Sequence, residues 1–147
     1  MYPDETIIPL FYIFIYKYEK LDVKTLSDKQ IKENISSSML AGFESTLSII
    51  KKTGCCYDIR NNTAINNSFN EYQKGMTADA GFRFERRTKK ATFMNSFLFH
   101  IRNTLAHAGF KEVENYYKII DYDNMRLSAF GFIEKSVFLK LLSAFTK

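Results

Sequence analysis

Tryptophan is absent from this chain, and cysteine and histidine occur only twice each. The two cysteines, Cys55 and Cys56, are neighbours, and a bridge between adjacent residues needs a strained ring because their Cβ atoms do not reach ordinary disulfide geometry. With no other cysteine there is neither a disulfide framework nor a cysteine-based zinc site. Reduced thiols fit a cytoplasmic protein, in which these two read as small core or helix-end residues. Long hydrophobic runs are also missing. The longest, Ile7 to Tyr16, is about half of what a bilayer-spanning helix needs. It follows Asp4 and Glu5 rather than a basic leader, so it reads as buried core or subunit interface and not as a signal peptide or membrane segment.

What is present is a globular composition, 46% hydrophobic and 25% charged over 147 residues. A chain of this size hides roughly 70% of its unfolded surface and needs no metal or disulfide to hold a core. Without repeats or a low-complexity linker, residues 1–147 read as one domain. Aromatic residues are plentiful, 14 Phe and 9 Tyr. Lys and Arg outnumber Asp and Glu by 21 to 16, a net charge of +5, which permits a polyanionic partner without demanding one.

Periodicity organises most of the chain. By pattern alone the aromatic-dense residues 7–21 fit helix or strand; Pro9 suits a first helical turn and the apolar run is short, so they lean to helix. Ser27 and Gln30 form a capping box, and Ile31, Ile35, Met39, Phe43, Leu47 and Ile50 then recur on one face, predicting a helix over 28–52 that Gly54 ends. The asparagines within 57–68 read as loop, and Ser68 with Glu71 as the opening of a short helix near 69–75. A further helix is expected from Thr88 or Thr92 to Ala108, stopped by Gly109. Phe93, Met94, Phe97, Leu98, Ile101, Leu105 and Ala108 fall in its core-facing arc, and His100, Asn103 and His107 on the other side. Tyr116–Tyr122 and Leu127–Ile133, flanking Asp123-Asn124, predict a hairpin, and Ser136 caps a last helix. The expected fold class is mainly α with one small β-hairpin.

The chemistry concentrates in Arg102-Asn103-Thr104-Leu105-Ala106-His107. Arginine offers a planar fork of donors matched to phosphate oxygens, histidine exchanges a proton near neutral pH, and asparagine can orient either. A phosphate clamp beside a proton shuttle is the minimal kit for cutting RNA through its own 2′-hydroxyl, without a metal or other cofactor. On an unbroken helix Arg102 and His107 stand roughly 140° apart and about 7.5 Å along the axis, so two copies meeting about a twofold axis would grip one phosphate better than one copy does.

This stretch resembles the signature of the HEPN superfamily: an arginine, a polar residue and, after a short spacer, a histidine. The resemblance implies a compact helical bundle, here with the small hairpin between the motif helix and the C-terminal helix. It implies a homodimer with a composite site and a metal-independent endoribonuclease of the toxin or antiviral-effector type. Arg102 would hold the scissile phosphate, His107 act as acid and base, and Asn103 support them, leaving a 2′,3′-cyclic phosphate and a 5′-hydroxyl. An inhibitor or antitoxin protein is a further implied partner. However, Gly109 stands where a tyrosine typically follows in members paired with a nucleotidyltransferase antitoxin. An acid near the histidine is often found in these nucleases, and Glu44 and Glu85 are candidates for it.

Upstream, Arg83, Arg86, Arg87, Lys89 and Lys90, interleaved with Phe82 and Phe84, form a run able to follow an RNA backbone and stack bases, or equally a solvated helix start. His100 could line the same cleft. Two alternatives remain: a non-catalytic HEPN module that binds RNA, nucleotide or a protein partner, and a helical interaction protein in which the motif is chance.

Overall fold

Pro9 stands in the first turn of helix α1 (Ile8–Leu21), where its fixed φ and missing N–H cost nothing. α1 belongs to a computed structural model that describes residues 7–58, 60–75 and 81–146. After a 3-10 turn at Val23–Thr25, the capping box forms as predicted, with Ser27 accepting from the Gln30 N–H and Gln30 accepting from that of Ser27. The helix expected over 28–52 is two helices, α2 (Asp28–Glu33) and α3 (Ser37–Thr53). Asn34 ends the first by donating from Nδ2 to the Gln30 carbonyl. Ile31 and Ile35 are buried along with Phe43, Leu47 and Ile50, so the apolar stripe survives the break.

Strand β1 (Cys55–Tyr57) leads into α4 (Thr63–Gln73). α4 occupies much of what reads as loop and leaves Ser68 inside a helix rather than at its start. Ile65, Phe69 and Tyr72, spaced four and three apart, are the physical reason, because they pack on Phe130 and Phe132 of the sheet. β2 (Phe82–Glu85) follows, then α5 (Phe93–Ala106), β3 (Phe110–Val113), β4 (Tyr116–Asp123), β5 (Arg126–Glu134) and α6 (Lys135–Thr146).

The mainly α fold with a small hairpin is therefore incorrect, and the HEPN-like helical bundle with it. The described residues are 57% helical and 21% strand, and the strands form one five-stranded mixed sheet in the order β1-β2-β5-β4-β3. β1 and β2 are parallel and every other pairing is antiparallel. The expected hairpin is present as β4 and β5, but it is the middle of that sheet. Its loop is Asn124-Met125, both with positive φ, as a two-residue primed turn requires.

One sheet face carries the main core, built with α1, α3, α5 and α6 around residues such as Phe14, Phe43, Phe82, Phe84, Phe97 and Phe138. α4 covers the other face. α5 leaves the end of β2 and delivers the chain to β3 at the far edge, so the helix carrying the Arg102–His107 stretch crosses the sheet over β5 and β4.

Candidate functional site

Helix α5 starts at Thr92, whose hydroxyl accepts from the Asn95 N–H. It ends with His107 as C-cap and Ala108 in the left-handed region (φ 58), and Gly109 N–H bonds back to the Thr104 carbonyl at 2.9 Å. That bond pattern is the common left-handed helix stop. Gly109 serves a different need: a Cβ there would lie 2.0 Å from the Ile120 carbonyl oxygen of β4.

α5 is buried on two sides, since it lies between the sheet and the α1 side of the core. His100 is consequently not on a solvated face. It is 3% exposed, with Nδ1 2.8 Å from Asp121 Oδ2 and Nε2 2.7 Å from the Glu85 backbone carbonyl. A carbonyl oxygen only accepts, so Nε2 carries a hydrogen, and a single further proton is shared between Nδ1 and the Asp121 carboxyl. His100 thereby holds Asp121 in place and has no nitrogen left to act on a ligand.

Asn103 extends this array. Its Nδ2 donates to Asp121 Oδ2 at 3.4 Å, and its Oδ1 accepts from Arg102 Nη1 at 3.0 Å. Arg102 in turn meets Glu19 of α1, Nε to Oε1 2.6 Å, as a close ion contact rather than an aligned hydrogen bond. The Tyr18 hydroxyl, near Arg87 and Arg102, is buried, and burial pushes its pKa up to about 12 against the opposing influence of Arg87. A second ionic group lies alongside. Glu85, itself buried, pairs with Arg126, and this hydrogen bond raises the already high Arg126 pKa; Arg126 also reaches Asp123 at 3.3 Å.

These groups surround a cavity of about 300 Å³ walled by Glu85, His100, Asn103, Asp121 and Arg126, with Arg60, Arg86 and Arg87 also on its lining. Ser128 is the extra residue of a β-bulge opposite Asp121, and its hydroxyl donates to the Asp121 carbonyl. Bulges of this kind are frequent beside functional sites, where they re-aim side chains.

The residues singled out from the sequence are thus only partly gathered. Arg102 and Asn103 touch, and Asn103, His100, Arg86 and Arg87 share the cavity. His107 is exposed at the helix end and makes no side-chain hydrogen bond among the described residues. Arg83 alternates away from Phe82 and Phe84 to the α4 face, where Nη1 donates to Ser68. Lys90 and Arg87 line a separate, larger recess of about 530 Å³ beside Lys24 and Lys29, and Lys89 is exposed. Phe82 and Phe84 are fully buried and stacked on each other, so neither is available to a base. Of the two acids considered, Glu44 makes only a loose surface contact with Lys32, whereas Glu85 belongs to the His100 array.

Asp121, Arg126, Arg60 and Glu19 do not emerge from the sequence reading. Asp121 had a usable signal: it follows Tyr117 and Ile119 at alternate positions, and both are fully buried. An acid in that register faces the core and needs a partner.

Comparisons with protein families, with curated proteins and with solved structures find no match to this chain. Among the described residues no helix is long and apolar enough to cross a membrane, and no group of three His, Cys, Asp or Glu side chains could hold a metal ion.

Proposed function

We propose that this chain is a metal-independent RNA endonuclease that cuts through the 2′-hydroxyl, with Arg102, Asn103 and His107 as its working residues. The observation that carries the reading is the hydrogen bond from Arg102 to Asn103, itself anchored through Asp121 to the buried His100. It fixes a guanidinium at a set place on α5, about 1.4 turns before an exposed imidazole at the helix end. Arg102 would neutralise the scissile phosphate and His107 would take the 2′-hydroxyl proton. The 2′-oxygen then attacks phosphorus, the 5′-oxygen leaves with a proton, and a 2′,3′-cyclic phosphate remains.

One copy supplies one imidazole, so the reading includes a homodimer that brings two sets together. α1 supports this. Ile8, Tyr12, Ile13 and Tyr16 are all exposed along it, and Glu19, one turn further, holds Arg102. A second copy seated on that stripe would lie beside the arginine. Cytoplasmic location and a silencing inhibitor or antitoxin protein complete the proposal.

The test is cleavage of structured and single-stranded RNA in EDTA, with wild type beside His107→Ala and Arg102→Ala. Each substitution is expected to cost about 10²-fold or more. Unchanged activity in both variants overturns the assignment. The engagement of Arg102 by Glu19 favours a second reading, an RNA- or nucleotide-binding module without cleavage, and that reading wins if RNA is bound but left intact.

A further inference from the structure

Two recesses meet at the start of α5, where Ala91 and Thr92 wall both. The first, of about 530 Å³, is lined by Lys24, Lys29, Arg87 and Lys90. The second, of about 500 Å³, adds Lys51 and Arg86. Asp28 is the only acid among the described residues of either lining, and it already accepts from the Thr92 hydroxyl. None of the six cations makes an ion pair among the described residues. Their excess over Asp28 equals the net charge of the whole chain, +5, so acids and bases balance elsewhere and the positive field is concentrated in this groove. Its walls are also pre-set. Arg87 Nε donates to Asn95 Oδ1 at 3.0 Å and Nη2 donates to the Lys24 carbonyl. Asn95, 4% exposed, donates from Nδ2 to the Val23 and Leu26 carbonyls, each at 3.1 Å. One buried amide thereby ties the Arg87 guanidinium and the Val23–Thr25 turn to α5.

We propose that this groove docks an extended segment of a partner protein rich in Asp and Glu. Six cations facing one acid select an anion, and a surface of one sign steers an oppositely charged partner in and fixes its register. A compact anion fills one recess only, whereas two recesses joined at a shared wall fit an elongated chain. Single-stranded RNA fits less well, because grooves that hold it add aromatic faces on which bases stack. Phe93 is the only aromatic residue among the described residues of either lining, and it lies parallel to Phe97 with the Lys51 ammonium over its ring. The groove stands at the opposite end of α5 from His107, about 22 Å along the axis from Thr92. A partner held there leaves the imidazole uncovered. The inference goes beyond the cleavage reading and does not rest on it.

The experiment is fluorescence anisotropy of the full chain with three labelled probes. One is a peptide of about ten residues alternating glutamate and serine, the second its glutamine-for-glutamate counterpart, and the third an uncleavable 2′-O-methyl oligouridylate of the same charge as the first. The acidic peptide should bind at least about tenfold more tightly than either of the others. Lys24→Glu with Lys90→Glu, both at exposed positions, should loosen it by about tenfold or more. Lys111→Glu with Lys140→Glu makes the same change in net charge at exposed positions on β3 and α6, and should loosen it by less than about twofold. Equal affinity for the acidic and glutamine peptides overturns the proposal, as does equal loosening by the two double variants. Tighter binding of the oligouridylate, lost in the Lys24 and Lys90 variant, also overturns it and makes the groove a nucleic-acid track. The readout is binding to a probe that cannot be cut, so failure to cleave RNA leaves the result standing.

Discussion

The Tyr18 hydroxyl is buried beneath α1 with no hydrogen-bond partner among the described residues, and burial raises its pKa from about 10 to about 12. Below pH 10 the phenol is neutral in both folded and unfolded chains. Between pH 10 and pH 12 it ionises in the unfolded chain alone, so the stability it confers while protonated is lost across that window. Tyr18→Phe removes both the orphaned hydroxyl and the titration. It should stabilise the protein by about 1 kcal/mol at neutral pH, and the gap should widen above pH 10 in thermal melts followed by circular dichroism. Parallel melting curves for the two proteins from pH 7 to pH 11.5 would contradict this. At this scale the sequence is a partial guide. The adjacency of Arg102 and Asn103 is readable, and so in principle is Asp121, through its alternation with Tyr117 and Ile119. Glu19 is not readable, because nothing local says that α1 packs beside α5.

The end of α5 shows how one helix stop divides between two neighbouring residues. Ala108 adopts the left-handed conformation, which disfavours any side chain, whereas Gly109 is held where a side chain would strike β4. Ala108→Gly should therefore stabilise by about 1 kcal/mol, and Gly109→Ala should destabilise by more than that, as denaturant midpoints would show. Two substitutions of equal effect would refute the division. Elements with long local patterns are legible: α5, α6 and the β4–β5 hairpin follow from period and turn chemistry, whereas the aromatic-dense pattern of α1 fits helix or strand and only Pro9 and the shortness of the run tip it. β1, β2 and β3 are not. They are three or four residues long, and Cys-Cys-Tyr or Phe-Arg-Phe-Glu carries no strand signal apart from its neighbours. What makes Phe82–Glu85 a strand is pairing with Phe130 and Ala129, far along the chain.

For the whole molecule, that dependence on distant pairing explains why a helical bundle is the natural but mistaken expectation: periodicity reports what a segment does alone, and a sheet edge is decided by its partner. The same scale holds the assembly prediction. The outward stripe of Ile8, Tyr12, Ile13 and Tyr16 leads toward Arg102, so sedimentation velocity at micromolar concentration should give twice the chain mass, and Tyr12→Glu with Tyr16→Glu should return the monomer. A strict monomer in the wild type counts against a composite cleft.

β5 is the last strand in chain order, yet it lies in the centre of the sheet between β2 and β4. Until it emerges from the ribosome, the β1–β2 pair and the β3–β4 pair have no common neighbour, and the hydrophobic flanks of both stay open. Nascent chains halted before Arg126 should thus depend on chaperones and invite proteases. Collapse into the native state must come late in synthesis, as a single closing event.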